Sequence, residues 1–307
     1  MKIEGEMLMK KSIIALAVAG ALVAPLAQAD ATLYGSLRVK ATNYDNSELD
    51  IADNVSRVGI KGSSELFSGA KAIFQFEEAA NTETGNRSGR LALIGATGDF
   101  GTVTMGRQWT PFYLWTATTD ILDNGSSGAS VEFGRVPNTL AYITPDMGGF
   151  QAAAVLVARD GAGVDLGDTG DDADAYNLAA HFSAGGFSVG LSTLMYQGAI
   201  DENYTSVAAS YTMGDLYVAA EATSDSVSKK VDASINDDVD TFEVAGSYAL
   251  GDVKLLANFV SFDKGEQVGL EAQYKLGAKS RVAATVVTAD DDAPVSDSVA
   301  VSWRVDF

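Results

Sequence analysis

From residue 33 to residue 307 the chain passes through sixteen stretches in which apolar and polar residues alternate, and the connections between those stretches alternate too, short then long. The stretches are 33–40, 56–62, 70–78, 87–94, 101–107, 134–144, 150–158, 173–183, 187–196, 204–211, 216–223, 240–248, 253–262, 267–274, 281–289 and 296–307. A two-residue period is the signature of a strand with one apolar and one polar face. Seven connections are tight and glycine-bearing, such as Leu66-Phe67-Ser68-Gly69 and Ala184-Gly185-Gly186. Turns of that kind join adjacent antiparallel strands. The eight connections between them, 43–55, 80–86, 109–133, 159–172, 197–203, 224–239, 263–266 and 291–295, are longer or more polar. All tight turns therefore fall at one end of the strands and all long loops at the other. A soluble sandwich has no reason to sort its loops this way, whereas a membrane-spanning barrel does. The expectation is an all-β fold, a 16-stranded antiparallel transmembrane β-barrel, wide enough at that strand number to hold an aqueous lumen.

The two faces of each stretch fit a lipid boundary. Mean hydropathy is only +0.07, as it must be when half of every strand meets water. Ser56, Val58 and Ile60 oppose Arg57 and Lys61; Leu91 and Leu93 oppose Arg90; Val136, Leu140 and Tyr142 oppose Arg135 and Thr139. A charge at the bilayer midplane costs about 2–4 kcal/mol, which keeps such residues on the lumen phase. Tyr34, Phe100, Phe150, Phe187, Tyr211, Tyr217, Tyr248, Tyr274 and Trp303 lie beside the short turns, where an aromatic girdle is expected. The stretch VAVSWRVDF places Val299, Val301, Trp303, Val305 and Phe307 outward and Ser302, Arg304 and Asp306 inward. It is expected to pair with residues 32–40, because a membrane barrel tolerates no open edge.

Charge and composition exclude several functions. Asp and Glu number 41 against 21 Lys and Arg, a net charge of -20, which argues against nucleic acid as a partner. There is no cysteine, and His181 is the only histidine, so neither a Ser/His triad nor a thiolate or multi-histidine metal site can be built. No enzymatic step, metal or other cofactor is expected. The acidic runs 164–176, 235–240 and 288–294 lack calcium-loop spacing and read as solvated loops. Residues 1–29 read as a secretory signal peptide cut after Ala29, with Met9 as an alternative start, leaving 30–307 as the barrel. The 109–133 connection is the longest and carries Trp109, Phe112, Tyr113, Trp115, Ile121 and Leu122. So apolar a loop needs a surface to cover it, and the barrel interior supplies one.

Five segments together resemble the Gram-negative general porins, the trimeric 16-stranded outer-membrane diffusion channels: LYGSLRV (33–39), VSRVGIKGSSEL (55–66), GRLALIGATGDFGTVTMGRQW (89–109), FGRVPNTLAYITPDMGGF (133–150) and SWRVDF (302–307). The resemblance spans essentially all of 30–307. It implies a third external loop, 109–133, folded inward to narrow the pore, with acidic residues facing a ladder of arginines. By position Arg57, Arg90 and Arg135 fill the ladder, joined by Arg38, and Asp120, Asp123 and Glu132 are the acidic counterparts. The loop departs from the Pro-Glu-Phe-Gly-Gly stretch of enterobacterial members, reading Asp123-Asn124-Gly125-Ser126 instead. The resemblance further implies a homotrimer, contact with outer-membrane lipid and lipopolysaccharide, and recognition of Phe307 by the outer-membrane assembly machinery. The implied function is passive diffusion of ions and small hydrophilic solutes, and the acidic excess suggests a modest cation preference. A substrate-specific porin and a non-conducting barrel for adhesion or envelope anchoring remain open alternatives.

Overall fold

A computed structural model describes residues 30–45, 47–67, 69–125, 134–158, 173–198, 200–228 and 239–307. The expected signal segment 1–29 and Glu132 lie outside the described residues. The strands are β1 (Asp30–Tyr44), β2 (Asp50–Asp53), β3 (Arg57–Phe67), β4 (Ala70–Ala80), β5 (Arg87–Gly98) and β6 (Gly101–Trp109). A short helix, α1 (Pro111–Thr116), precedes β7 (Arg135–Ile143), β8 (Phe150–Ala158), β9 (Ala173–Ala184), β10 (Phe187–Tyr196), β11 (Asn203–Met213) and β12 (Leu216–Asp225). The last five are β13 (Val239–Leu250), β14 (Val253–Ser261), β15 (Glu266–Gly277), β16 (Ser280–Ala289) and β17 (Ser298–Asp306).

Every neighbouring pair is antiparallel, and β1 closes the ring by pairing with β17 over residues 36–44 and with β3 over residues 30–36. Sixteen strands thus form the barrel. The seventeenth, β2, arises within the connection read from sequence as loop 43–55. It pairs with residues 39–42 of β1, covering the backbone that β3 is too short to reach. An uncovered strand edge is a liability, and four residues suffice to remove it. At the seam the amide of Phe307 donates to the Gly35 carbonyl at 3.1 Å, and the Gly35 amide returns the bond at 3.2 Å. The Phe307 ring lies flat over Gly35, where a Cβ would sit 2.2 Å from a ring carbon. Glycine is required there by close approach.

The alternation of faces follows the sequence over most of the ring. Leu33, Leu37, Val39, Leu140, Leu178, Val207, Leu255, Val286 and Trp303 are exposed outward, and Val299, Val301, Val305 and Phe307 join them. Four outward assignments fail, each for a local reason. Leu91 is 2% exposed, because Glu77 pairs with Leu91 and Glu78 with Gly89, leaving Arg90 as an extra residue in β5. The bulge turns Arg90 and Leu91 to the same side and restarts the alternation, so that Ala92 and Ile94 face out and Leu93 turns inward with Leu91. Val136 is 4% exposed for a similar cause: the register with β6 skips within β7, where Asn138 takes φ 54°. Ser56 is buried at the start of β3, exchanging hydrogen bonds with the backbone of Arg38. Two girdle aromatics are also reassigned. Tyr34 and Tyr217 point inward, their hydroxyls bonding to Glu77 and to the Thr118 carbonyl, while the other seven face outward.

Replacing Gly35 by valine must push the Phe307 ring away from the seam, an overpacking cost of about 1–3 kcal/mol. Gly35→Val should lower the unfolding temperature of the detergent-solubilised barrel. Gly89→Val, at a position with open space around its Cβ, should leave it nearly unchanged.

Candidate functional site

Seven arginines line one opening of about 1020 Å³ inside the ring: Arg38, Arg57, Arg90, Arg107, Arg135, Arg281 and Arg304. They come from β1, β3, β5, β6, β7, β16 and β17, one continuous arc of wall. Four carboxylates share the opening: Glu77, Asp120, Asp123 and Asp306. The four arginines expected from sequence are therefore brought together, with Asp120 and Asp123 beside them. Arg107, Arg281 and Arg304 were not expected as members. Arg304 and Arg281 each fall on the inward phase of their strands, so counting inward arginines on every strand would have found them. Arg107 sits beside the irregular β6–β7 register and carries no such signal.

These charges are unequally satisfied. Arg90 and Glu77 form a buried pair, Nε to Oε1 at 2.7 Å. The other oxygen of Glu77 accepts from the Tyr34 hydroxyl at 3.0 Å, and Gln75 in turn donates to that hydroxyl. Arg281 holds Asp123 with both Nε, at 2.6 Å, and Nη2. Arg304 donates to Asp306 at 2.8 Å. Among the described residues no ion pair joins a carboxylate to Arg38, Arg57, Arg107 or Arg135. Arg38 donates to the Ser36 hydroxyl, Arg107 to the Arg90 carbonyl, and Arg135 lies over the Trp109 ring at 4.7 Å. Trp109 is stacked on its other neighbour, Tyr113, at 4.4 Å.

The segment after β6 is tied to the wall at many points. Thr110 caps α1, accepting from the Tyr113 amide, and Pro111 supplies the preset φ of a first helical residue. The Phe112 amide donates to Asn177 of β9, and α1 crosses β10 so closely that a Cβ on Gly190 would lie 2.0 Å from the Trp115 carbonyl oxygen. Phe112 is fully buried against Val136, Val155, Val157, Leu194 and Tyr204. Trp115 stacks on His181, which also bonds Ser188. Further along, Thr119 donates to Glu221, and the amides of Asp123 and Asn124 both donate to Glu271. Asn124 donates to Thr285, and Asn54 donates to the Asp123 carbonyl. Asp120 instead accepts from the Tyr113 hydroxyl at 2.9 Å. Crowding by the surrounding protein strips hydration from Asp120 and raises its carboxyl above the ordinary carboxylate range. Asp123's charge adds to the rise, and the Tyr113 hydrogen bond works against it. Glu132 lies outside the described residues, and Phe307 sits at the β1–β17 seam and does not itself line this opening.

The sequence profile of the Gram-negative porins matches residues 15–294. The major outer membrane protein P.IB of Neisseria gonorrhoeae is 28% identical over 203 residues, covering 58% of this chain and 55% of that protein. Outer membrane porin protein 32 of Delftia acidovorans is 32% identical over 177 residues, covering 47% of this chain and 48% of that protein. The match thus spans about half the length of these curated relatives. Among solved structures, an anion-selective porin from Comamonas acidovorans superimposes with a TM-score of 0.71 at 18% identity, covering 91% of this chain and 100% of that one.

The buried Arg90–Glu77 pair makes a stability prediction. Arg90→Ala leaves Glu77 charged and without its counter-ion, which costs about 3–5 kcal/mol in a buried pair. Chemical unfolding should show that loss for Arg90→Ala, a much smaller one for Arg57→Ala, and partial recovery when Glu77→Leu is added to Arg90→Met.

Proposed function

The chain belongs to the Gram-negative porins, and from that premise we propose that it forms a water-filled outer-membrane channel for passive diffusion of ions and small hydrophilic solutes, with small anions favoured at its narrowest part. The observation that carries this reading is the arc of seven arginines against four carboxylates in one opening. Three of those carboxylates are already neutralised by Arg90, Arg281 and Arg304. The chain as a whole carries -20, so composition points to cations while the lining of the opening points to anions. Within a narrow passage the nearest charges dominate, because interactions beyond about 8 Å are screened at physiological salt.

In this reading residues 109–133 are the constriction loop. What supports it is the set of bonds from Phe112, Thr118, Thr119, Asp123 and Asn124 to inward-facing groups of β9, β12, β15 and β16. Arg38, Arg57, Arg107 and Arg135 carry the selectivity, Asp120 tempers it, and Asp123 anchors the loop to Arg281. Arg90 acts through structure, holding Glu77. We further propose that the channel works as a homotrimer in contact with lipopolysaccharide, exported by a cleaved signal peptide, and that Phe307 is read by the assembly machinery.

Purified protein in planar bilayers should give stepwise conductance and, across a KCl gradient, a reversal potential of the anion-selective sign. Absence of conductance rejects the channel; a cation-selective sign rejects the arginine assignment. Arg57→Ala and Arg135→Ala should each lower the chloride-to-potassium permeability ratio by roughly two- to fivefold, since a unit charge 4–8 Å away in water is worth about 0.5–1 kcal/mol.

Acidification tests Asp120. Its carboxyl takes a proton at a higher pH than an ordinary aspartate does, because burial strips its hydration. As pH falls through that raised value a negative charge leaves the opening, so anion preference should increase. In Asp120→Asn the preference should already be high at neutral pH and the acid-induced rise correspondingly smaller.

A further inference from the structure

Cross-strand register places four cations in one line. Lys275 of β15 pairs directly with Arg281 of β16, Arg281 with Arg304 of β17, and Arg304 with Arg38 of β1. Like charges directly opposite across antiparallel strands are destabilising. The line runs between two openings. Arg38, Arg281 and Arg304 border the arginine-lined one. Lys275 and Arg281 border a second, of about 740 Å³, beside the short turns. Lys254 and Lys279 line this second opening as well, and among the described residues no ion pair engages Lys254, Lys275 or Lys279.

The acidic groups facing the line are few. Asp123 is held by Arg281 and Asp306 by Arg304, Glu271 lies near Arg281 but accepts from loop amides and Thr285, and Asp215 and Asp252 sit in the turns at the rim. A row of cations kept in register, with one end unpaired and a second lysine pair beside it, has the form of a path along which an anion exchanges one partner for the next. Lys254, Lys275, Lys279 and Arg281 line the second opening against Asp215, Asp252 and Asp306, and an excess of one sign within a cleft concentrates the opposite ion.

We propose that Lys275–Arg281–Arg304–Arg38, fed by Lys254 and Lys279, is an entry relay for small multivalent oxyanions approaching from the short-turn side. Inorganic phosphate is the representative solute. The proposal rests on the anion-favouring channel above and adds to it a second binding region, a direction of approach and a ligand class. Multivalent anions gain most because they can bridge two cations of the row at once, which chloride does not do.

The absence of cysteine makes a clean test possible. Lys275→Cys channels in planar bilayers are exposed, from one chamber at a time, to a thiosulfonate reagent that attaches either a sulfonate or a trimethylammonium group. Phosphate and chloride permeability relative to potassium are read at 0.1 M and at 1 M salt. The cysteine variant should lose roughly twofold or more of its phosphate permeability, and little of its chloride permeability, at low salt. The sulfonate should deepen the loss and the trimethylammonium restore it, with modification faster from the short-turn side and the effect fading at 1 M salt. Lys279→Cys, in the exposed turn, serves as the second probe and should show the same signs at smaller amplitude. Phosphate permeability indifferent to the sign of the attached group at both positions overturns the relay while leaving the anion-selective channel standing. A wild-type channel with a cation-selective reversal potential overturns the channel reading and the relay with it.

Discussion

A backbone amide inside a bilayer has no water to bond, so every strand that crosses must find a neighbour on each side. In this chain that requirement is met by a ring, and the ring is closed by the single junction of β1 with β17. Several features follow from that closure. β1 must serve two partners, giving residues 30–36 to β3 and residues 36–44 to β17, and the short β2 covers the stretch left over. The Phe307 backbone bonds to Gly35, and its ring takes the space a side chain at Gly35 would need. With the backbone of each described strand committed to its neighbours, the two faces are left free to answer to lipid and to lumen.

The lumen is divided rather than uniform. On the side of β7–β11, inward residues such as Val136, Val155, Leu194 and Tyr204 form a dry cluster around Phe112. On the side of β16 through β7 the inward residues include all seven arginines, with Glu77 and Asp306 among them. The segment following β6 belongs to both: Phe112 of its helix is buried in the apolar cluster, and its later residues are bonded to Glu221, Glu271 and Arg281. Glu271 accepts two successive loop amides as well as Thr285 and Gln273, so a buried carboxylate finds its donors largely from the loop it secures. Carboxylates on the wall are thereby occupied with backbone and hydroxyl donors. Arg38, Arg57, Arg107 and Arg135 remain to face the opening without an ionic partner among the described residues.

Much of this was legible in the chain. The two-residue period and the sorting of glycine turns gave all sixteen barrel strands, because both are local signals that each strand repeats. The failures were places where locality broke down. Arg90 and Leu91 share a side because a bulge in β5 adds a residue, and nothing in GRLAL marks that insertion. Val136 turned inward with the register skip at Asn138, to meet a helix that comes from another part of the chain. Tyr34 and Tyr217 resemble girdle residues by position but find inward partners in Glu77 and the Thr118 carbonyl, contacts 43 and 99 residues distant. The alignment of Lys275, Arg281, Arg304 and Arg38 depends on the register of three strand pairs, which only the folded ring fixes.

The proposed selectivity depends on the loop being fastened to the wall, where Arg281 holds Asp123. Asn124 of the loop and Thr285 of β16 are joined by a 2.9 Å hydrogen bond, and the chain offers no competing thiol. The most direct measurement is single-channel conductance of an Asn124→Cys/Thr285→Cys variant before and after treatment with a short thiol-to-thiol cross-linker. The fastened loop predicts near-complete cross-linking with the conductance and reversal potential unchanged. Failure to cross-link, or a large change in conductance once linked, would show that the loop spends its time elsewhere.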